Sequence, residues 1–84
     1  MLTEEKRKKN EKDFPFWETT SGSGRRYWFE INGRYGWKAR YVKEVNEIEE
    51  TVSFYQEIYN ERNELVEVHH KYPVDKGHLK INKL

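Results

Sequence analysis

The chain contains no cysteine. No disulfide can staple it, and no thiolate can bind zinc or act as a nucleophile. Such a composition suits a reducing compartment, and a cytoplasmic location is the expectation. No apolar run approaches the roughly 20 residues of a membrane-spanning helix, and Met1–Asn10 lacks the apolar core of a secretory signal. No membrane partner is expected. The glycines Gly22, Gly24, Gly33, Gly36 and Gly77 form no phosphate-cradling pattern ahead of a helix. No serine or threonine sits in a nucleophile-elbow setting, and no cofactor is expected. Neither sign of charge is in excess, since 16 Lys and Arg stand against 15 Asp and Glu. The balance therefore names no partner, and only the distribution of charge is informative.

That distribution is uneven. Between Ser21 and Lys43 lie Arg25, Arg26, Arg34, Lys38, Arg40 and Lys43, with Glu30 as the one acid. Between Glu44 and Glu67 there are eight acids, with Arg62 as the one base. In both blocks apolar residues recur mostly at every second position, the period of a half-buried strand. The spacing predicts two β-hairpins, one positive and one negative. Aromatic residues make up 15% of the chain, enough to hold a small sheet that has few aliphatic residues.

The fold class expected is mainly β, an antiparallel meander of four to five strands with a flexible, charged N-terminal arm. Residues 1–13 are nearly all polar, offer no apolar face and read as a disordered or frayed tail, although Thr3 could cap a short helix. Residues 14–84 read as a single small β domain, its first part, Phe14-Pro15-Phe16-Trp17, lying on the sheet or adding to its edge. The first hairpin spans Arg25 to about Val42. A turn at Asn32-Gly33 with a left-handed Gly33 bulge would pair Glu30 with Arg34, Phe29 with Tyr35 and Tyr27 with Trp37. That register puts Tyr27, Phe29, Tyr35, Trp37, Ala39 and Tyr41 on one face and Arg26, Trp28, Lys38 and Arg40 on the other. The second hairpin spans about Thr51 to Tyr72. Val45, Ile48, Val52, Tyr55 and Tyr59 also fit a helical stripe, but Val52, Phe54 and the tyrosines favour strand. Pro73–Gly77 reads as a turn and His78–Ile81 as a short last strand.

Two groups of residues could carry chemistry. All three histidines and Asp75 fall within ten residues, His69 to His78. His69 and His70 are consecutive on a strand and point to opposite faces, so only one can join Asp75 and His78. The candidate catalytic set is His70, Asp75 and His78, acting as acid and base on RNA with Arg40 or Lys71 on phosphate. The spacing matches no metal motif, and no metal is expected. The plainer alternative is a half-buried histidine and an aspartate that closes a turn. The second group is Arg26, Trp28, Lys38 and Arg40, joined by Tyr55 and Tyr59, a basic aromatic face suited to RNA or single-stranded DNA. Its plainer alternative is neutralisation by Glu44, Glu57 and Glu67 across strands.

The segments Gln56-Glu57-Ile58-Tyr59 and Val68–His78 carry a resemblance. From about Gly24 to Ile81 the chain resembles small prokaryotic β-meander domains that end in a histidine-rich turn. It is similar to TumE-type toxins of toxin–antitoxin pairs, whose C-terminal strands also carry clustered histidines. The resemblance implies an RNA-directed, toxin-like activity and assigns no catalytic residue. Three functions are therefore in play. The first is a binding module meeting nucleic acid or an acidic protein partner. The others are a toxin-like ribonuclease and a structural protein-interaction domain.

Overall fold

The computed structural model describes residues 2–81. Met1 and residues 82–84, the outer ends of the two expected segments, lie outside the described residues. Helix α1 (Thr3–Asp13) precedes six strands: β1 (Phe16–Thr19), β2 (Arg25–Asn32), β3 (Lys38–Val45), β4 (Thr51–Tyr59), β5 (Leu65–Tyr72) and β6 (Gly77–Lys80). They form one antiparallel sheet in the order β1-β2-β3-β4-β5-β6. The alternation thus gives the meander that it predicts, but with six strands rather than four or five. The additional strand is the aromatic arm, which pairs along β2 and puts Trp17 opposite Tyr27 and Phe16 opposite Trp28. Phe16 stacks on Trp28 with ring centres 5.9 Å apart. The helical stripe from Val45 to Tyr59 does not form, and β4 occupies its second half.

The β2–β3 turn differs from the expected one. Glu30 pairs with Arg40, Phe29 with Tyr41 and Tyr27 with Lys43, and residues 33–37 make the connection. Gly33 is extended (φ −104°), while Tyr35 (φ 59°) and Gly36 (φ 77°) take the left-handed positions. The Gly33 N–H donates to the Trp37 carbonyl, and the Trp37 N–H to that of Arg34. The Trp37 indole N–H reaches out to Glu61 at 2.7 Å, tying this turn to the β4–β5 turn. Tyr35 and Trp37 are therefore in a loop, not facing Phe29 and Tyr27. The division of faces survives, because the register moved by an even number of residues and side chains alternate with period two.

One face, the helix face, carries Tyr27, Phe29, Tyr41, Lys43 and Phe54. Here Phe14 joins Tyr27 and Val45 in the core, with Phe29 and Phe54 packed against it. Phe14 lies 5.9 Å from the Tyr27 ring and 5.6 Å from that of Phe29. The other face, the open face, buries Val42 and carries Arg26, Trp28, Arg40, Tyr55 and Tyr59.

Residues 3–13, expected to fray, form a helix whose dipole suits its charges, with Glu4 and Glu5 in the first turn and Lys12 in the last. Its docking is polar. Arg7 Nε donates to Glu49 Oε1 at 2.9 Å, and Asn10 Nδ2 to Glu49 Oε2 at 3.1 Å. Lys43 Nζ donates to Asn10 Oδ1 at 2.8 Å, and Arg25 to Glu11 at 2.8 Å. An apolar stripe is the usual sequence sign of a docked helix. Here one buried carboxylate, Glu49, replaces it.

Glu49 sits in a turn that the chain uses twice. In Asn46–Glu50 the Asn46 side-chain oxygen accepts the N–H groups of Ile48 and Glu50. In Asn60–Glu64 the Asn60 side-chain oxygen accepts those of Arg62 and Glu64. The fourth residue is left-handed in both, Glu49 at φ 63° and Asn63 at φ 62°. Asparagine tolerates that conformation, whereas glutamate is strained in it. The strain is offset by the buried bonds that only the carboxylate makes.

Candidate active site

Strands β5 and β6 pair antiparallel with His69 directly opposite His78 and His70 opposite Gly77. Directly opposed residues share a face, so the register brings His78 to His69 rather than to His70. The His69 and His78 ring centres are 4.3 Å apart. His69 Nδ1 lies 3.1 Å from His78 Nε2. At the outer ends, His69 Nε2 lies 2.7 Å from Asp75 Oδ1, and His78 Nδ1 lies 3.1 Å from Glu67 Oε2. The four side chains form one line, Asp75–His69–His78–Glu67, on the helix face. His70 stands on the open face with its ring 5.4 Å from that of Tyr55. Of the expected set, Asp75 and His78 meet and His70 does not join them. Its place is taken by His69, and Glu67 completes the group.

Asp75 is positioned by the turn. Its Oδ1 accepts the Gly77 N–H at 2.8 Å as well as His69. The Gly77 amide, then His69, holds the Asp75 carboxyl below its ordinary range, so it is ionised. Three hydrogen bonds along the line need three protons. Two neutral imidazoles bring two ring protons, enough for two of the three contacts, and a third proton, which makes one ring an imidazolium, completes the line. The two inner nitrogens, His69 Nδ1 and His78 Nε2, are close enough to share one proton. Such a line can accept a proton at one ring and release one at the other. The His69 side chain is 16% exposed and that of His78 is 48% exposed, so the second reaches solvent. Lys71 shares this face, with its ammonium 5.2 Å over the Tyr41 ring, and Asp75 feels its charge. Among the described residues no group of three or more His, Asp or Glu is arranged to hold a metal ion.

The open face holds the second group. Glu18, Arg26, Trp28, Arg40, Val42, Tyr55, Glu57 and Tyr59 line a concavity of about 400 Å³. The basic residues here are committed. Arg26 donates to Glu44 at 2.9 Å and to Glu18 at 2.8 Å. Arg40 donates twice to Glu30, at 2.9 and 2.8 Å, and Lys38 lies 3.5 Å from the same carboxylate. Arg40 also lies over the Tyr59 ring at 5.1 Å and the Trp28 ring at 5.9 Å. The Tyr55 hydroxyl donates to Glu44, and burial together with that carboxylate pushes the phenol up. Glu44 acts as the neutralising alternative predicts. Glu57, directly opposite Arg40, also acts on that guanidinium through its charge while accepting the Tyr59 hydroxyl, whereas Glu67 is on the other face with His78. Glu18 and Glu30 are the neutralising acids that the strand pattern alone does not single out.

Comparison with protein-family models, with curated proteins and with solved structures gives no match. No helix among the described residues is long and apolar enough to cross a membrane.

Proposed function

We propose that this chain is a toxin-like ribonuclease that cleaves single-stranded RNA by proton transfer at His69 and His78. The observation that carries this reading is the four-residue line Asp75–His69–His78–Glu67, drawn from β5, the following turn and β6 onto one exposed face. A neutral ring and a charged ring side by side are the two forms that transesterification needs. The neutral imidazole exchanges one hydrogen-bond partner for the ribose 2′-hydroxyl and takes its proton. The 2′-oxygen bonds to phosphorus, the bond from phosphorus to the 5′-oxygen breaks, and the imidazolium gives its proton to that oxygen. The products are a 2′,3′-cyclic phosphate and a free 5′-hydroxyl. Lys71, on the same face, supports the phosphate charge.

The test is incubation of the purified chain with labelled single-stranded RNAs. Cleavage to cyclic phosphate ends is expected, with loss of about 100-fold or more in His69→Ala and His78→Ala and little change in His70→Ala. Absence of cleavage across RNAs of varied sequence, with the fold intact by circular dichroism, would overturn it.

A second reading, a non-enzymatic nucleic-acid binding module using Arg26, Trp28, Lys38 and Arg40, is favoured by the aromatic concavity of the open face. Phosphates would have to displace Glu18, Glu30 and Glu44 from these cations, which makes it the weaker of the two.

A further inference from the structure

A groove of about 900 Å³ runs between α1 and the helix face, with Phe29, Phe54 and Tyr72 on the sheet side and Lys6, Lys9 and Lys43 among its other lining residues. We propose that this groove is the track for a single-stranded RNA chain whose scissile phosphate lies at the histidine pair, an inference that rests on the ribonuclease reading.

Register gives the first argument. Lys43, Phe54 and Tyr72 are successive cross-strand partners on β3, β4 and β5. Tyr41, Gln56, His69 and His78 form another such row. On β3 and β4 the rows are two residues apart, about 7 Å along the strands, which is close to the spacing of successive phosphates in an extended strand. The bulge between Phe54 and Tyr55 keeps Tyr72 beside Phe54 and leaves Lys71 on the same face, over Tyr41. The row that lines the groove and the row that carries the histidine pair are therefore neighbours on one face of the sheet.

Charge gives the second. The cations of the open face are held by glutamates, whereas none of Lys6, Lys9 and Lys43 forms an ion pair among the described residues. Of the three carboxylates that also line the groove, Glu49 is already held by Arg7, and Asp13 and Glu50 remain. Tyr72, 48% exposed, offers a ring for a base to stack on.

The experiment is fluorescence anisotropy with a labelled 12-nucleotide single strand in which every sugar is 2′-deoxy, so that it binds but cannot be cleaved. Paired with it is the cleavage of a dinucleotide RNA too short to enter the groove. Lys6→Glu with Lys9→Glu is expected to weaken binding at least tenfold and to lower the salt dependence, while dinucleotide cleavage is unchanged. Tyr72→Ala is expected to weaken binding several-fold. Arg26→Ala with Arg40→Ala is expected to leave binding within twofold. Circular dichroism of the lysine variant checks that α1 persists. Binding that is absent, or that falls with the arginines and not the lysines, overturns the track. Binding that follows the lysines while no RNA is cleaved upholds the groove as a single-strand binding site but overturns the ribonuclease reading and the placement of a scissile phosphate at the histidine pair, so the two failures are distinguishable.

Discussion

The Tyr27 hydroxyl lies between the two carboxylate oxygens of Glu49, 2.9 Å from one and 3.1 Å from the other. Tyr27 is fully buried and Glu49 is 4% exposed, so the contact is sheltered from water. Arg7 and Asn10 of α1 reach the same carboxylate from the other side. Glu49 thus joins the β3–β4 turn, the sheet core and the N-terminal helix.

The first prediction is that Glu49→Gln releases α1. The substitution keeps the shape but removes the charge that Arg7 pairs with. Hydrogen bonds to a charged group contribute about 1.5–3 kcal/mol each, so a loss on the order of 2 kcal/mol is expected, because the amide still accepts some of these donors. Hydrogen exchange of the Thr3–Asp13 amides should accelerate much more than that of β3 and β4. Uniform acceleration across the whole chain would mean that Glu49 supports the sheet itself and is not a latch for the helix.

The second prediction concerns acid. Burial opposes ionisation of Glu49, but Arg7, Asn10 and Tyr27 outweigh it and hold the carboxyl below its ordinary value. A carboxyl depressed in the folded state stabilises at pH values above its unfolded pKa, about 4.3. That stability is lost as pH falls through the lower, folded value. Helix docking should hold from neutral pH to about 4 and weaken below it. In Glu49→Gln the acid-dependent part of the loss should shrink. An identical acid profile in the two proteins would assign the effect to other carboxylates.

The third prediction separates the glycines. Gly36 has φ 77°, and Gly33 has φ −104° with its nearest neighbour at 3.4 Å from an added Cβ. Gly36→Ala should cost about 1–2 kcal/mol, and Gly33→Ala no more than about 0.5 kcal/mol. At Gly24 an added Cβ would meet the Val45 carbonyl oxygen, a backbone atom that cannot step aside, so Gly24→Ala should be the most damaging of the three. Thermal melts of the three variants give the order. Gly33→Ala as the worst would restore the tight Asn32-Gly33 bulge.

Strand identity and the division of faces were legible from the period-two pattern, which puts buried Tyr27 with the partly buried Phe29 and Tyr41 on one face and buried Val42 on the other. The turns were less so. The β2–β3 loop is five residues long and ends on Trp37, which bonds to Glu61, a partner 24 residues away that no local signal announces. The docking of α1 was hidden because it rests on polar bonds to one distant carboxylate. A trace of it was present in the repeated pattern of Asn46–Glu50 and Asn60–Glu64, where Glu49 fills the place that Asn63 fills in the second turn. The choice between His69 and His70 turned on the β5–β6 register. Any even number of residues between paired positions puts His78 on the face of His69, and here six residues, 71–76, separate His70 from Gly77.

The last prediction follows from counting protons. The line Asp75–His69–His78–Glu67 is fully bonded only when the two rings carry three protons between them. In that state His69 Nε2 is protonated toward Asp75, and His78 Nδ1 is protonated toward Glu67. The third proton lies between His69 Nδ1 and His78 Nε2, 3.1 Å apart. Nitrogen-15 spectra of histidine-labelled protein in that state should show both outer nitrogens as N–H. The two inner nitrogens should give shifts intermediate between protonated and bare, since one proton serves both. Asp75→Asn can still accept from His69, but it removes the charge that holds this tautomer, so the inner proton should move toward His78. His70, on the other face, should be unaffected. Inner nitrogens that each behave as in an isolated imidazole, unchanged by Asp75→Asn, would show that the rings do not share a proton. The acid–base reading would then lose the geometry on which it stands.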